Sequence, residues 1–222
     1  MIEEVLPSKV ASVELLDDPA DLRLFPEEEA SVSRAVPKRR REFTTVRHCA
    51  RQALAAIGQP AVPLVPDEHR APVWPDGVVG SMTHCTGYRA AAVARRTDVT
   101  AIGLDAEPDT ALPDGVLDRI ASSRERRALG QLAGSAGQPH WDRVLFSAKE
   151  SVYKAWFPLT RTWLGFEDAT LEINPTAGTF HACILAHHNA AQAGESTPKE
   201  FDGRWIARNG LIITAIARSA TS

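Results

Sequence analysis

Two acidic segments, far apart in the chain, carry residue types suited to gripping a divalent cation. The first is Gly103-Leu104-Asp105-Ala106-Glu107, at the end of an apolar run. Asp105 and Glu107 are two residues apart, so on an extended strand both carboxylates leave the same face. Two carboxylates on one face repel each other unless a cation or a proton sits between them. The second segment is FSAKESVYKAW, Phe146 to Trp156, in which Lys149 and Lys154 bracket Glu150. Glu150 and Lys154 are i, i+4 neighbours on a helix whose remaining positions are mostly apolar. Charge embedded in such a helix needs a partner. Taken singly, each segment also fits a plainer role: a polar loop entry for the first, an exposed helical ion pair for the second.

A third segment, Val78 to Ala94, places Ser81, Thr83 and His84 between Gly80 and Gly87, with Arg89 following. The glycines allow close backbone approach to a ligand, and the donors suit a phosphate. His84 alone would equally fit a core or turn histidine. Upstream runs Lys38-Arg39-Arg40-Arg41, followed by Arg47 and Arg51. On a helix Arg40, Arg47 and Arg51 can share a side with Arg39 near its edge, a cluster able to read an anion. A solvated face or a surface nucleic-acid patch is the alternative. Asp105, Glu107 and Glu150 form an all-oxygen donor set, which favours Mg²⁺ or Mn²⁺ over zinc. The residues by themselves lead to Mg²⁺-dependent phosphoryl-type chemistry on a multiply phosphorylated ligand.

The elements that must position these groups read as an α+β chain. Residues 10–16 form a first strand. Phe43, Val46, Ala50, Leu54 and Ile57 recur at spacings of three and four and mark a helix stopped by Gly58 and Pro60. The proline-rich stretch after it is an extended loop. Strands follow at Val78–Met82, Arg89–Ala94 and Thr100–Leu104. Helices cover Val116–Leu132 and Trp141–Trp156. Strands return at Ala169–Ile173, Thr179–Ala186, Phe201–Arg208 and Leu211–Arg218, the last two joined by an Asn209-Gly210 hairpin.

Composition narrows the class. The chain has 222 residues, 25 Lys+Arg against 28 Asp+Glu and a formal charge of −3, so no global basic field recruits nucleic acid. Three cysteines, Cys49, Cys85 and Cys183, lack a CxxC spacing and fit a reducing cytoplasm better than a disulfide framework. No apolar stretch approaches the ~20 residues of a membrane span, and no signal peptide opens the sequence.

At these residues the chain resembles the Sfp-type 4′-phosphopantetheinyl transferases. That family carries a G-x-D-x-E strand end and, some forty residues later, [FW]-x-x-K-E-x-x-x-K; here they stand as Gly103 to Glu107 and Phe146 to Lys154. Gly80 to His84 and the arginine-bearing helix resemble further family segments. The resemblance implies a pseudo-dimer of two similar α+β halves: residues 1–107, a linker over 108–115, and residues 116–222. It implies transfer of 4′-phosphopantetheine from coenzyme A to a serine of apo acyl or peptidyl carrier proteins of fatty-acid, polyketide or peptide synthases, with release of 3′,5′-ADP. Asp105, Glu107 and Glu150 match the ligands of Mg²⁺, or Mn²⁺. Lys149 and Lys154 match lysines beside the pyrophosphate, Thr83 and His84 a phosphate-contacting pair, and Arg39 and Arg47 contacts to the 3′-phosphate. Arg70 stands where the family often has a lysine. Glu150 is the candidate base, with Lys149 and Lys154 assisting catalysis. The expected carrier-docking segment is Trp156, Phe157, Leu159 and Arg161, unless these simply pack into the core. The expected state is a cytoplasmic monomer without nucleic-acid or membrane partners. Another Mg²⁺-dependent phosphotransferase, or a non-catalytic module binding coenzyme A or carrier protein, are the competing readings; a Walker-type loop that would favour the former is absent.

Overall fold

The computed structural model describes residues 1–132, 134, 138–185 and 198–220. Strand β1 (Ala11–Leu15) leads through a short helix α1 (Pro26–Glu29) into the twenty-residue helix α2 (Pro37–Ala56). Pro37 sits at the first helical position, where a missing N–H costs nothing. Strands β2 (Val78–Cys85) and β3 (Tyr88–Arg95) then pair as a hairpin, and the first sheet has the order β1-β3-β2. Cys49, Ala50, Ala53 and Leu54 of α2 are buried together with Ala91 and Val93 of β3.

The next strand, β4 (Val99–Pro108), changes sheets. Two short helices, α3 (Val116–Ile120) and α4 (Ser123–Leu132), and the twenty-residue α5 (Trp141–Thr160) separate it from β5 (Ala169–Asn174), β6 (Thr179–Ile184), β7 (Glu200–Arg208) and β8 (Leu211–Ser219). These form a five-stranded antiparallel sheet, order β4-β8-β7-β6-β5. Residues 1–107 therefore do not close on themselves: the strand bearing Asp105 and Glu107 ladders with the C-terminal strand β8, Asp105 opposite Thr214. Its other edge faces β2 through side chains. Leu104 N–H donates to Ser81 Oγ at 3.0 Å and Ala106 N–H to Thr83 Oγ1 at 3.1 Å. Two hydroxyls at alternate positions of β2 thus satisfy the backbone donors that a ladder would have used. Each sheet is backed by one long helix, giving an α+β molecule of two related halves.

Three further differences from the sequence reading have local causes. The helix expected over Val116–Leu132 breaks at extended Ala121, where Ser122 and Glu125 exchange backbone-to-side-chain hydrogen bonds and restart it as α4. Helix α5 runs one turn beyond Trp156, through Pro158, and ends where Arg161, at φ 56°, donates its N–H to Phe157 O. The expected strand over Thr179–Ala186 ends at Ile184, and Ala186 lies outside the described residues. Asn209 and Gly210, at φ 55° and 73°, make the anticipated tight β7–β8 turn. No helix among the described residues is long and apolar enough to cross a membrane.

Gly103 fixes how α5 lies on β4. A Cβ at this position would stand 1.9 Å from Ser151 O and 2.9 Å from Ala155 N. Only glycine admits this approach, which sets the helix turn carrying Glu150 and Lys154 against the strand end carrying Asp105.

A candidate active site between the two sheets

Asp105 is the floor of the site. It is buried, and both carboxylate oxygens are engaged: Lys154 Nζ donates to Oδ1 at 2.7 Å and Ser147 Oγ to Oδ2 at 2.8 Å. Lys154 also donates to Leu104 O at 3.0 Å, and Thr83 Oγ1 lies 3.4 Å from Asp105 Oδ1. Glu107 leaves the same face of β4 and is held by Arg143 at 3.0 Å. Glu150 is half-buried one turn below Lys154. Burial pushes the Glu150 carboxyl above the usual carboxylate range, and the nearby Asp105 charge adds to this; the same two causes raise Glu107. Glu107 and Glu150 therefore both lie close enough to Asp105 to feel its charge. The oxygens of all three do not close to within 4.8 Å of one another, and Asp105 and Glu107 each pair with a cation, Lys154 and Arg143.

Beside Asp105 opens a cavity of about 550 Å³ lined by Arg39, Arg47, Arg70, Thr83, His84, Asp105 and Lys154, with Phe43, Val46 and Met82 as its apolar wall. Three arginines, a lysine, a hydroxyl and an imidazole around one space make a polyanion receptor. Arg39 reaches from α2 to His84 Nε2. On the other ring nitrogen, Glu42 lies 3.6 Å away. Burial first, then the Arg39 charge, lowers the His84 pKa to about 4, so the ring is neutral near pH 7. Arg47 is buried, stacked 3.2 Å over the Phe43 ring, and donates through Nε to Leu64 O, leaving the remainder of its fork toward the cavity. Burial lowers its pKa to about 10. Arg70 sits at φ 66° in a turn closed by Asp67, and Asp67 is in turn bound by Arg161 at 2.7 Å. The proline-rich loop is thereby tied to the end of α5.

The sequence matches known families and proteins. Residues 27–94 match the model of the 4′-phosphopantetheinyl transferase N-terminal domain, and residues 101–207 that of the 4′-phosphopantetheinyl transferase superfamily. The chain is 53% identical to 4′-phosphopantetheinyl transferase Svp of Streptomyces mobaraensis, over 99% of its own length and 90% of that protein's. It is 50% identical to transferase Npt of Nocardia iowensis, covering 98% and 99%, and 47% identical to PptT of Mycobacterium tuberculosis, covering 97% of each. The chain belongs to the 4′-phosphopantetheinyl transferase superfamily. The two family models part between residues 94 and 101, immediately before β4, in agreement with the ladder that joins β4 to the second sheet.

Not every residue proposed from the sequence faces this transferase's cleft. Lys149 does not. Its Nζ is buried among Glu125 (3.1 Å), Phe166 O (2.7 Å) and Ala169 O (2.9 Å), on the opposite side of α5 from Lys154. Five residues turn a helix by about 500°, so the two lysines point roughly 140° apart. Lys149 is thus a structural cross-link, against the expectation that it lies at a pyrophosphate. Trp156 and Phe157 are core residues, Trp156 donating its indole N–H to Thr162 O; they do not form an exposed docking face. Arg40 and Arg51 are occupied by Glu29 and Glu28 and do not join Arg39 and Arg47.

Sequence reasoning missed Ser147, Thr214 and Arg143. Ser147 lies one turn before Ser151, and Thr214 Oγ1 lies 2.9 and 2.6 Å from the two serine hydroxyls. This hydroxyl cluster steadies Asp105 from below. Serine on the buried face of an apolar helix was the available signal.

Proposed function

We propose that this transferase moves 4′-phosphopantetheine from coenzyme A onto a serine hydroxyl of an apo carrier protein, releasing 3′,5′-ADP. The observation that carries the reading is the basic cavity that reaches Asp105, whose charge Glu107 and Glu150 both feel. Its arginines would take the nucleotide phosphates, with Arg39 and Arg47 on the 3′-phosphate, while Thr83, His84 and Lys154 face the diphosphate.

The donor set fits a hard divalent ion. All three candidate ligands are oxygens, they come from two packed elements, and two of them are driven toward protonation by burial first and then by the Asp105 charge, a deficit of positive charge that Mg²⁺ or Mn²⁺ relieves. Asp105, Glu107 and Glu150 would hold it, and when bound it supplies charge neutralisation at the phosphate oxygens. The chain's own groups account for the rest. Lys154, already beside Asp105, offsets charge that grows on the departing phosphate. The carrier serine attacks the phosphorus bonded to pantetheine, and the P–O bond to the nucleotide breaks. The serine proton passes to Glu150, directly or through water; the raised pKa makes that carboxylate the better acceptor.

Mass spectrometry of an apo-carrier incubated with coenzyme A, Mg²⁺ and the chain tests this. The carrier gains one phosphopantetheine and 3′,5′-ADP appears. Free nucleotide products without carrier mass gain overturn the reading in favour of a hydrolase; binding without product favours a non-catalytic module.

A further inference from the structure

The outer face of the second sheet carries a second set of donors that the transfer reaction does not use. His181 and Cys183 are two apart on β6 and leave the same face, while Phe180 and Ala182 between and beside them enter the core under α5. Cys183 pairs in register with Glu200 on β7, and His181 with Asp202. Ligand atoms of His181, Cys183 and Glu200 all lie within 4.8 Å of one another, the sole such group of three or more among the described residues. Alternation along β6 puts this set on the side of the sheet opposite α5 and the Asp105 carboxylate.

We infer that His181, Cys183 and Glu200 form a site for a borderline-soft transition ion, zinc by chemical class. A thiolate and an imidazole select such an ion over Mg²⁺, in contrast to the all-oxygen set in the cleft. Zinc bonds of about 2.3 Å to sulfur and 2.0–2.1 Å to nitrogen put S and N of a tetrahedral site about 3.5 Å apart. Cys183 Sγ and His181 Nε2 stand 3.4 Å apart already. The other ring nitrogen, Nδ1, is 2.8 Å from Asp202 Oδ1, which fixes the tautomer that leaves Nε2 free to coordinate. Asp202 is a positioning residue. Glu200 is exposed, and a trough of about 1000 Å³ lined by His181, Asp202 and Glu172 lies alongside, from which a fourth ligand or water could approach. Three protein ligands from two neighbouring strands would pin β6 to β7 at the end where their connection begins.

Titration of the full chain with Co²⁺, a spectroscopic stand-in for Zn²⁺, tests the site. Wild type is expected to show a sulfur-to-cobalt charge-transfer band that saturates at one equivalent and is displaced by Zn²⁺. Cys183→Ser abolishes the band, Cys85→Ser keeps it, and Asp202→Asn weakens Co²⁺ binding about tenfold or more. The outer-face position of Cys183 lets its serine variant fold, checked by circular dichroism. The Asp105→Asn variant retains the band, which separates this site from the cleft. A wild type without the band, or a band that persists in Cys183→Ser, overturns the inference.

Discussion

Gly103 on β4 and Ser151 on α5 touch backbone to backbone, with no room for a single methyl group between them. This contact decides how far Glu150 and Lys154 stand from Asp105. Gly103→Ala must push the helix off the strand, since the obstructing atom is a main-chain carbonyl. The expected cost is about 1–3 kcal/mol in denaturant unfolding, the usual range for overpacking, with a fall in carrier labelling. Unchanged labelling at unchanged stability would show that the helix position is not critical.

The two lysines of α5 should separate in their effects. Lys149→Met strands the buried Glu125 carboxylate and is expected to lose about 3–5 kcal/mol. Adding Glu125→Gln should return part of it. Lys154→Met should cost less stability, because Lys154 is partly exposed and Asp105 keeps its hydrogen bond from Ser147, and should abolish labelling. Equal loss of stability in both variants contradicts the division of roles.

Glu150→Gln keeps shape and removes the proton acceptor. Turnover is expected to drop by about 10²–10⁴-fold, with the KM for coenzyme A little changed. Full turnover at saturating Mg²⁺ rules out Glu150 as both base and ligand.

Arg39→Ala should discriminate between coenzyme A and its 3′-dephospho form. A charge-assisted contact of about 1.5–3 kcal/mol corresponds to roughly a ten- to hundredfold rise in KM for coenzyme A. The dephospho substrate should be nearly indifferent. A parallel rise for both moves Arg39 to the diphosphate.

His84 supplies a pH signature. Unfolded, its ring takes up a proton near 6.5; folded, it refuses one until about 4. Between those values the unfolded chain binds more protons, so this contribution to stability is whole above 6.5 and is lost as pH falls toward 4. His84→Gln should flatten that part of the stability–pH curve, measured by urea midpoints. An unaltered slope would mean the ring titrates normally in the fold.

Much of this was legible without coordinates because it is local. The period of Phe43 to Ile57 set α2, the two-residue spacing of Asp105 and Glu107 set their common face, and Asn209-Gly210 set the last hairpin. The i, i+4 relation placed Glu150 beside Lys154. Even the break between α3 and α4 had its signal in Ser122 and Glu125, a serine three residues before a glutamate.

Spacing along one chain states which side chains share a face, and tertiary packing decides what that face meets. Hence only the folded molecule shows Lys149 spent on Glu125 and Trp156 buried, although both sit in the same twenty-residue helix as Glu150. For the same reason β4 could not be assigned to a sheet: its partner, β8, lies about a hundred residues downstream. Ser147 and Thr214 are likewise ordinary polar residues until strand and helix are brought together beneath Asp105. The sequence by itself determined the chemistry available to the site, through residue type and local period. The tertiary structure decided which of those groups face one another, because long-range contacts are selected by burial and fit, which no local pattern encodes.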